Sequence, residues 1–165
     1  MRRLLASIRA QIFADYEVVI CDDTPTDDVA LIVEDYSDLP KLTYHQNRRR
    51  LGSPANWNQC LSLARGTWIK MMHHDDWFRD ERSLEKFAEA VATIEGSPLV
   101  FCSCNAYRNG ESHEFTHQPF TGQDMALALA DLHAEELIFA NKIGCPSVTM
   151  FRRDPDRRYD ERLVW

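Results

Sequence analysis

Residues 55–78 read ANWNQCLSLARGTWIKMMHHDDWF, and the order of signals in this stretch decides the fold. Ser53-Pro54 just upstream starts a helix, with serine as cap and proline in the first turn. The helix runs to about Arg65, where Gly66 stops it. Thr67 to Met72, TWIKMM, reads as a strand with His73-His74-Asp75-Asp76 at its C-terminal end. A long helix then covers roughly Asp80 to Ile94. Alternation of helix and strand is the pattern of a layered α/β domain.

The same alternation extends outward. Leu4, Leu5, Ile8 and Ile12 fall at helical spacing. Tyr16 to Cys21, YEVVIC, is a short apolar run suited to a buried strand. It ends in the turn cluster Asp22-Asp23-Thr24-Pro25-Thr26. Thr26 or Asp27 can cap a helix whose apolar stripe is Val29, Ile32 and Val33. Leu42 to His45 is a further strand, followed by a basic loop from Asn47 to Ser53. Downstream, Leu99 to Tyr107 reads as a strand and Asn109-Gly110 as a hairpin turn. A return strand near His113 to His117, helical turns over Gln123 to Ala140 and a last strand over Pro146 to Phe151 complete the reading. No repeat or linker interrupts it, so residues 1–165 are expected to form a single, partial domain.

The chain is 44% hydrophobic and 27% charged, the balance of an ordinary globular protein. A net charge of −7 argues against a general nucleic-acid binder, which needs a basic face. No run approaches the roughly 20 apolar residues of a membrane span. Five scattered cysteines do not make a disulfide framework. Cys102 and Cys104 read as small buried hydrophobes rather than metal ligands. Free thiols suit a reducing compartment, so the expected location is the cytoplasm or the inner face of the membrane.

Two acidic pairs, Asp22-Asp23 and Asp75-Asp76, stand at the C-terminal ends of expected strands, where open α/β sheets bind ligands. Carboxylates fixed there can hold Mg²⁺ or Mn²⁺, which bridges and neutralises a diphosphate. Either pair alone also suits capping or turn chemistry; two pairs on successive strand ends point to a site. Zinc at His73-His74-Asp75-Asp76 is disfavoured, because neighbouring residues of a strand end point in opposite directions. Arg48-Arg49-Arg50 suits a solvated loop and a diphosphate contact equally. GxGxxG, GxxxxGK[ST] and GxSxG are all absent.

The ordered set resembles family 2 glycosyltransferases. In that family a helix ends in glutamine, a strand ends in two aspartates, and an Asn-x-Gly-type loop follows. A helix bearing an asparagine then ends in Ala-x-Gly, before a strand that leads to an Asp-rich metal motif. Gln11, Asp22, Asp23, Asn47, Gly52, Asn58, Ala64, Gly66, Asp75 and Asp76 occupy those places. GCPSVTMFRRDPDRRYDERLVW resembles the family's later segment.

The resemblance implies a GT-A fold, a Rossmann-like three-layer sandwich, here without the family's first strand. It implies transfer of a hexosyl group, with inversion, from a nucleoside-diphosphate sugar, most often of the UDP type, to a hydroxyl of a saccharide or lipid-linked acceptor. Asp22, Asp23, Arg49, Arg50, Asn58 and Asp75 would contact the nucleotide, and Asp76 would hold Mn²⁺ or Mg²⁺.

Three departures qualify this. Met1 falls in the helix that should follow an opening strand. His73 stands where many members carry the first aspartate of the metal motif. The family's catalytic base is expected beyond Trp165, so no catalytic residue is assigned and the fragment is expected to be inactive alone. Competing expectations are a non-catalytic nucleotide-sugar-binding remnant and a divalent-metal phosphoester hydrolase or nucleotidyltransferase.

Overall fold

The computed structural model describes residues 1–93, 99–101, 106–108, 111–113 and 145–162, the three short middle stretches by their backbone. Contacts divide the chain into two units: Met1–Ile69, His74–Glu85 and Arg153–Trp165 form one, Lys70–His73 and Lys86–Arg152 the other.

In the first unit, α1 (Arg2–Arg9) buries Leu4 and Leu5. Strand β1 (Val19–Asp22) pairs in parallel with β2 (Thr43–Gln46), in register from Val19↔Thr43 to Asp22↔Gln46. Parallel neighbours need a crossover, and α2 (Asp28–Glu34) supplies it. Leu5, Val18, Ile20, Val33, Tyr36 and Leu39 form one buried cluster. Leu5 is 1% exposed, so truncation to alanine removes contacts on every side and costs about 2–5 kcal/mol. The Arg9 guanidinium lies 4.3 Å from the Tyr36 ring centroid and bonds Asp38 at 2.5 Å.

Next come α3 (Ala55–Leu63), the two-residue strand β3 (Trp68–Ile69) and α4 (Ser83–Thr93), in which Leu84 and Phe87 are buried. In the second unit, β4 (Leu99–Phe101) runs antiparallel to β7 (Thr149–Arg152). Strand β5 (Ala106–Arg108) pairs antiparallel with β6 (Glu111–His113). Arg108 stands opposite Glu111, and the turn expected at Asn109-Gly110 lies outside the described residues.

Several boundaries move from their expected places, for identifiable reasons. Helix α1 stops at Arg9, and Ile12 is 56% exposed. The first strand begins at Val19 rather than Tyr16. The Tyr16 hydroxyl instead donates to Ile8 O, and the Glu17 carboxylate accepts the N–H groups of Arg65 and Gly66. No side-chain cap bond forms at the starts of α2 or α3, contrary to the expected roles of Thr26, Asp27 and Ser53. At α3 the backbone closes the first turn, Asn56 N–H to Gly52 O at 2.8 Å, after a cis Ser53-Pro54 bond. Helix α3 ends at Leu63 because Ala64 is extended, two residues before Gly66.

The strand expected over Thr67 to Met72 shrinks to Trp68–Ile69. Farther on, Lys70 Nζ bonds Ser147 O, and His73 N–H donates to Ser147 Oγ at 3.0 Å, a side-chain partner in place of a ladder partner. Helix α4 starts late because Asp80 and Ser83 close a polar turn: Ser83 Oγ and Arg82 N–H both donate to Asp80 Oδ1. Pro146–Val148 is a 3-10 turn, and the last strand begins only at Thr149. Cys102, Cys104, His117 and the helical turns expected over 123–140 lie outside the described residues. Cys21, Cys60 and Cys145 carry free thiols.

Candidate functional site

Alternation along β1 sends consecutive aspartates to different surroundings. Asp22 is 4% exposed, whereas Asp23, just past the strand end, is half-buried. Asp22 Oδ1 accepts the Thr24 N–H at 2.9 Å and the Thr24 hydroxyl at 2.8 Å, while Oδ2 accepts the Tyr44 hydroxyl at 2.7 Å. Burial and the bond to Asp22 push the Tyr44 phenol up to about 12. The carboxylate of Asp22 therefore closes the turn after β1 and ties that turn to β2. Gln46 Nε2 supports the same turn through Thr26 O at 3.0 Å.

Asp23 faces the loop that leaves β2. Its carboxylate accepts the N–H groups of Leu51 at 2.7 Å and Gly52 at 2.8 Å, and the Asn47 amide at 3.1 Å. Gly52 sits at φ +74°, a left-handed conformation that turns its N–H toward the carboxylate. Partial burial works against the charge on Asp23. The donors from Leu51, Gly52 and Asn47, with the nearby Arg50 guanidinium, outweigh it and hold the carboxyl below its ordinary range. The Asn47 amide also donates to Asn56 Oδ1 at 2.8 Å, and Asn56 Nδ2 donates to Cys21 O at 3.1 Å. Arg49 and Arg50 are exposed on this loop. The strand end thus carries an anionic group inside a closed loop and the exposed guanidinium groups of Arg48, Arg49 and Arg50 outside it, chemistry that suits a polar base and an anionic diphosphate.

The second acidic pair is arranged differently. Within the single tetrapeptide of residues 73–76, His73, Asp75 and Asp76 each bring one ligand atom within 4.8 Å of the others. Asp75 is exposed and Asp76 half-exposed. Neither carboxylate takes a hydrogen bond from another described residue, which leaves hard oxygen donors available for a divalent cation. The two carboxylates suit Mg²⁺ and Mn²⁺, whereas the imidazole is a ligand for transition ions rather than for Mg²⁺.

Asn58, expected beside the nucleotide, is buried in α3 with other partners. Its Oδ1 accepts the Tyr159 N–H at 2.9 Å, and its Nδ2 donates to Tyr159 O and Glu161 Oε1, both at 3.0 Å. Gln11, the glutamine that follows α1, joins α1 to α4: its Oε1 accepts the Leu84 N–H and its Nε2 donates to Asp80 O. Sequence reading did not single out Tyr44, Asn56 or Glu17. For Asn56 a signal was available in the repeated Asn of ANWN; for Glu17 and Tyr44 the partners lie 48 and 22 residues away, beyond any local pattern.

An uncharacterized glycosyltransferase of Haemophilus influenzae is 26% identical over 141 residues, covering 86% of this chain and 44% of its own length. A GalNAc(5)-diNAcBac-PP-undecaprenol beta-1,3-glucosyltransferase of Campylobacter jejuni is 27% identical over 124 residues, 70% of this chain and 38% of its own. The chain therefore spans less than half the length of these relatives. The crystal structure of S. aureus TarS residues 1–349 superposes with a TM-score of 0.69, covering 99% of this chain and 47% of that one at 20% identity. This likeness establishes the GT-A fold. The family model for glycosyl transferase family 2 matches residues 1–160, and the chain belongs to that family.

Proposed function

We propose that residues 1–165 are one partial domain of an inverting hexosyltransferase that binds a nucleoside-diphosphate sugar, with UDP as its nucleotide. The observation that carries this reading is the Asp23-centred loop, which sets a fixed anion beside the exposed Arg49 and Arg50 at a strand end. In this reading the base of the nucleotide lies at Asp23 and the diphosphate at Arg49 and Arg50, with Asp75 contacting the nucleotide away from the diphosphate. Asp22 supports the site by holding the turn.

The acceptor hydroxyl attacks the anomeric carbon from the face opposite the diphosphate. The new C–O bond forms as the bond to the diphosphate breaks, the electron pair leaves with the diphosphate, and the hydroxyl proton passes to a general base to which no residue of 1–165 is assigned. The guanidinium groups receive that growing charge. Mn²⁺ or Mg²⁺, held by Asp76 with His73 and Asp75, would add further neutralisation when bound. Asp160 and Glu161 are not assigned as the base. A saccharide or lipid-linked acceptor fits the PP-undecaprenol in the Campylobacter relative's name. No helix among the described residues is long and apolar enough to cross a membrane. A cytoplasmic location, or one at the inner membrane face, is part of the proposal.

Calorimetric titration of the chain with UDP, GDP and dTDP, each with and without Mn²⁺, tests the reading. UDP binding that requires the metal and is lost in Asp76→Ala is the expected result. Metal-independent binding, or equal binding of all three nucleotides, speaks against it.

A further inference from the structure

Asn56 and Asn58 stand two residues apart in α3, so their amides leave the helix about 200° apart. Asn56 reaches Cys21 O and the Asn47 amide, and through Asn47 the Asp23 loop. Asn58 reaches the other way, to Tyr159 and Glu161. It receives the N–H and engages the C=O of a single residue, the pairing that a neighbouring strand would give, supplied here by one side chain. At 7% exposure, both Nδ2 hydrogens are spent on this segment. The Tyr159 ring meets Trp57 edge-on, with centroids 5.2 Å apart. Asp160 is taken by Arg162 at 2.5 Å, whereas Glu161 is oriented by the Asn58 amide.

We propose that Asn58 is a positioning residue and not a nucleotide ligand: it clamps the segment from Tyr159 to Glu161 to the face of α3 opposite the Asp23 loop. The clamp stands on geometry alone. Its consequence for catalysis rests on the transferase reading: α3 sets the segment that carries Glu161 relative to the loop that carries Asp23, so losing Asn58 lowers turnover and spares nucleotide affinity.

Asn58→Leu keeps the volume and removes the polar partners. Amide exchange at Tyr159 is expected to rise at least about tenfold. UDP affinity in the presence of Mn²⁺ is expected to change by less than about twofold. Unchanged exchange at Tyr159 overturns the clamp, and a tenfold loss of UDP affinity overturns the reassignment. Where transfer is measured, kcat falls and the KM for the sugar nucleotide holds; the opposite split counts against the proposal.

Asn58→Asp gives a second, independent arm if the leucine variant does not fold. A carboxyl at this position still accepts the Tyr159 N–H, but it faces Tyr159 O and the Glu161 carboxylate with one donor hydrogen when protonated and none when charged, so the charged form is disfavoured and the protonated form restores one of the two donor bonds. The Tyr159 protection factor should be below wild type, and lower at about pH 8, where the charged group repels Glu161 and Tyr159 O, than at about pH 5. Wild-type protection at both values overturns the clamp. Failure of the wild-type chain to bind UDP sinks the transferase reading alone, because the exchange arms do not depend on nucleotide.

Discussion

The two acidic pairs share a composition and part company in their surroundings. Asp22 and Asp23 accept six hydrogen bonds between them, from Thr24 twice, Tyr44, Asn47, Leu51 and Gly52. Asp75 and Asp76 accept none from described residues and lie within ligand distance of His73. A carboxylate supplied with several N–H donors becomes a structural anchor, since removing it orphans the donors. A carboxylate left in water keeps its lone pairs for something that arrives later. The first pair holds its own turn and loop in place, and the proposed cation falls to the second.

That contrast is breakable, and the largest effect should fall on the open pair. Asp76→Ala is expected to lower Mn²⁺-dependent UDP affinity about 100-fold. Its unfolding free energy should stay within about 0.5 kcal/mol of wild type in urea, because no bond from another described residue is lost. A large loss of stability at Asp76 would erase the distinction between the pairs.

Asp22→Ala reverses the profile. It leaves the Tyr44 hydroxyl and Thr24 N–H without their buried acceptor, and should cost about 2–4 kcal/mol in urea unfolding. Tyr44→Phe removes one bond and should cost about 1 kcal/mol by the same measurement. A neutral outcome at Asp22 would show that the buried carboxylate is replaceable by water.

Asp23 should report through pH. Its folded carboxyl lies below its ordinary range, so it binds protons less readily than in the unfolded chain. Its contribution is therefore complete above the unfolded value of about 3.9 and fades as the pH falls through the folded one. Leu51 and Gly52 amide protection should drop over that acid range in the wild type and stay flat, at a lower level, in Asp23→Asn. Equal acid sensitivity in both would remove Asp23 as the origin.

The smallest effect belongs to the exposed cations. Arg49→Ala and Arg50→Ala should each weaken UDP binding about three- to tenfold, less so in high salt, where exposed charges are screened. A salt-independent loss would point to a structural role for the loop arginines.

Much of this architecture could be read locally. The apolar run 18–20, the stripe of Val29, Ile32 and Val33 and the acidic strand ends carry period and punctuation within a few residues. Boundaries moved where distant side chains took over: Glu17 reaches Arg65 and Gly66, and Ser147 reaches the chain at His73. The acidic positions were legible because strand ends concentrate ligand chemistry. For Asn58 the resemblance fixes where an asparagine stands and says nothing of the direction in which its amide leaves the helix. Its partners lie 101 and 103 residues farther along.

The β1–β2 register ends at Asp22↔Gln46, with Asp22 turned inward and Asp23 turned to the loop. Sliding β1 by a single residue would exchange the two directions. Asp22 would then turn away from the Tyr44 hydroxyl, and Asp23 away from the N–H groups of Leu51 and Gly52. Two adjacent aspartates with different appetites thus act as a key that turns in one position, so the strand that carries the proposed chemistry also polices its own alignment.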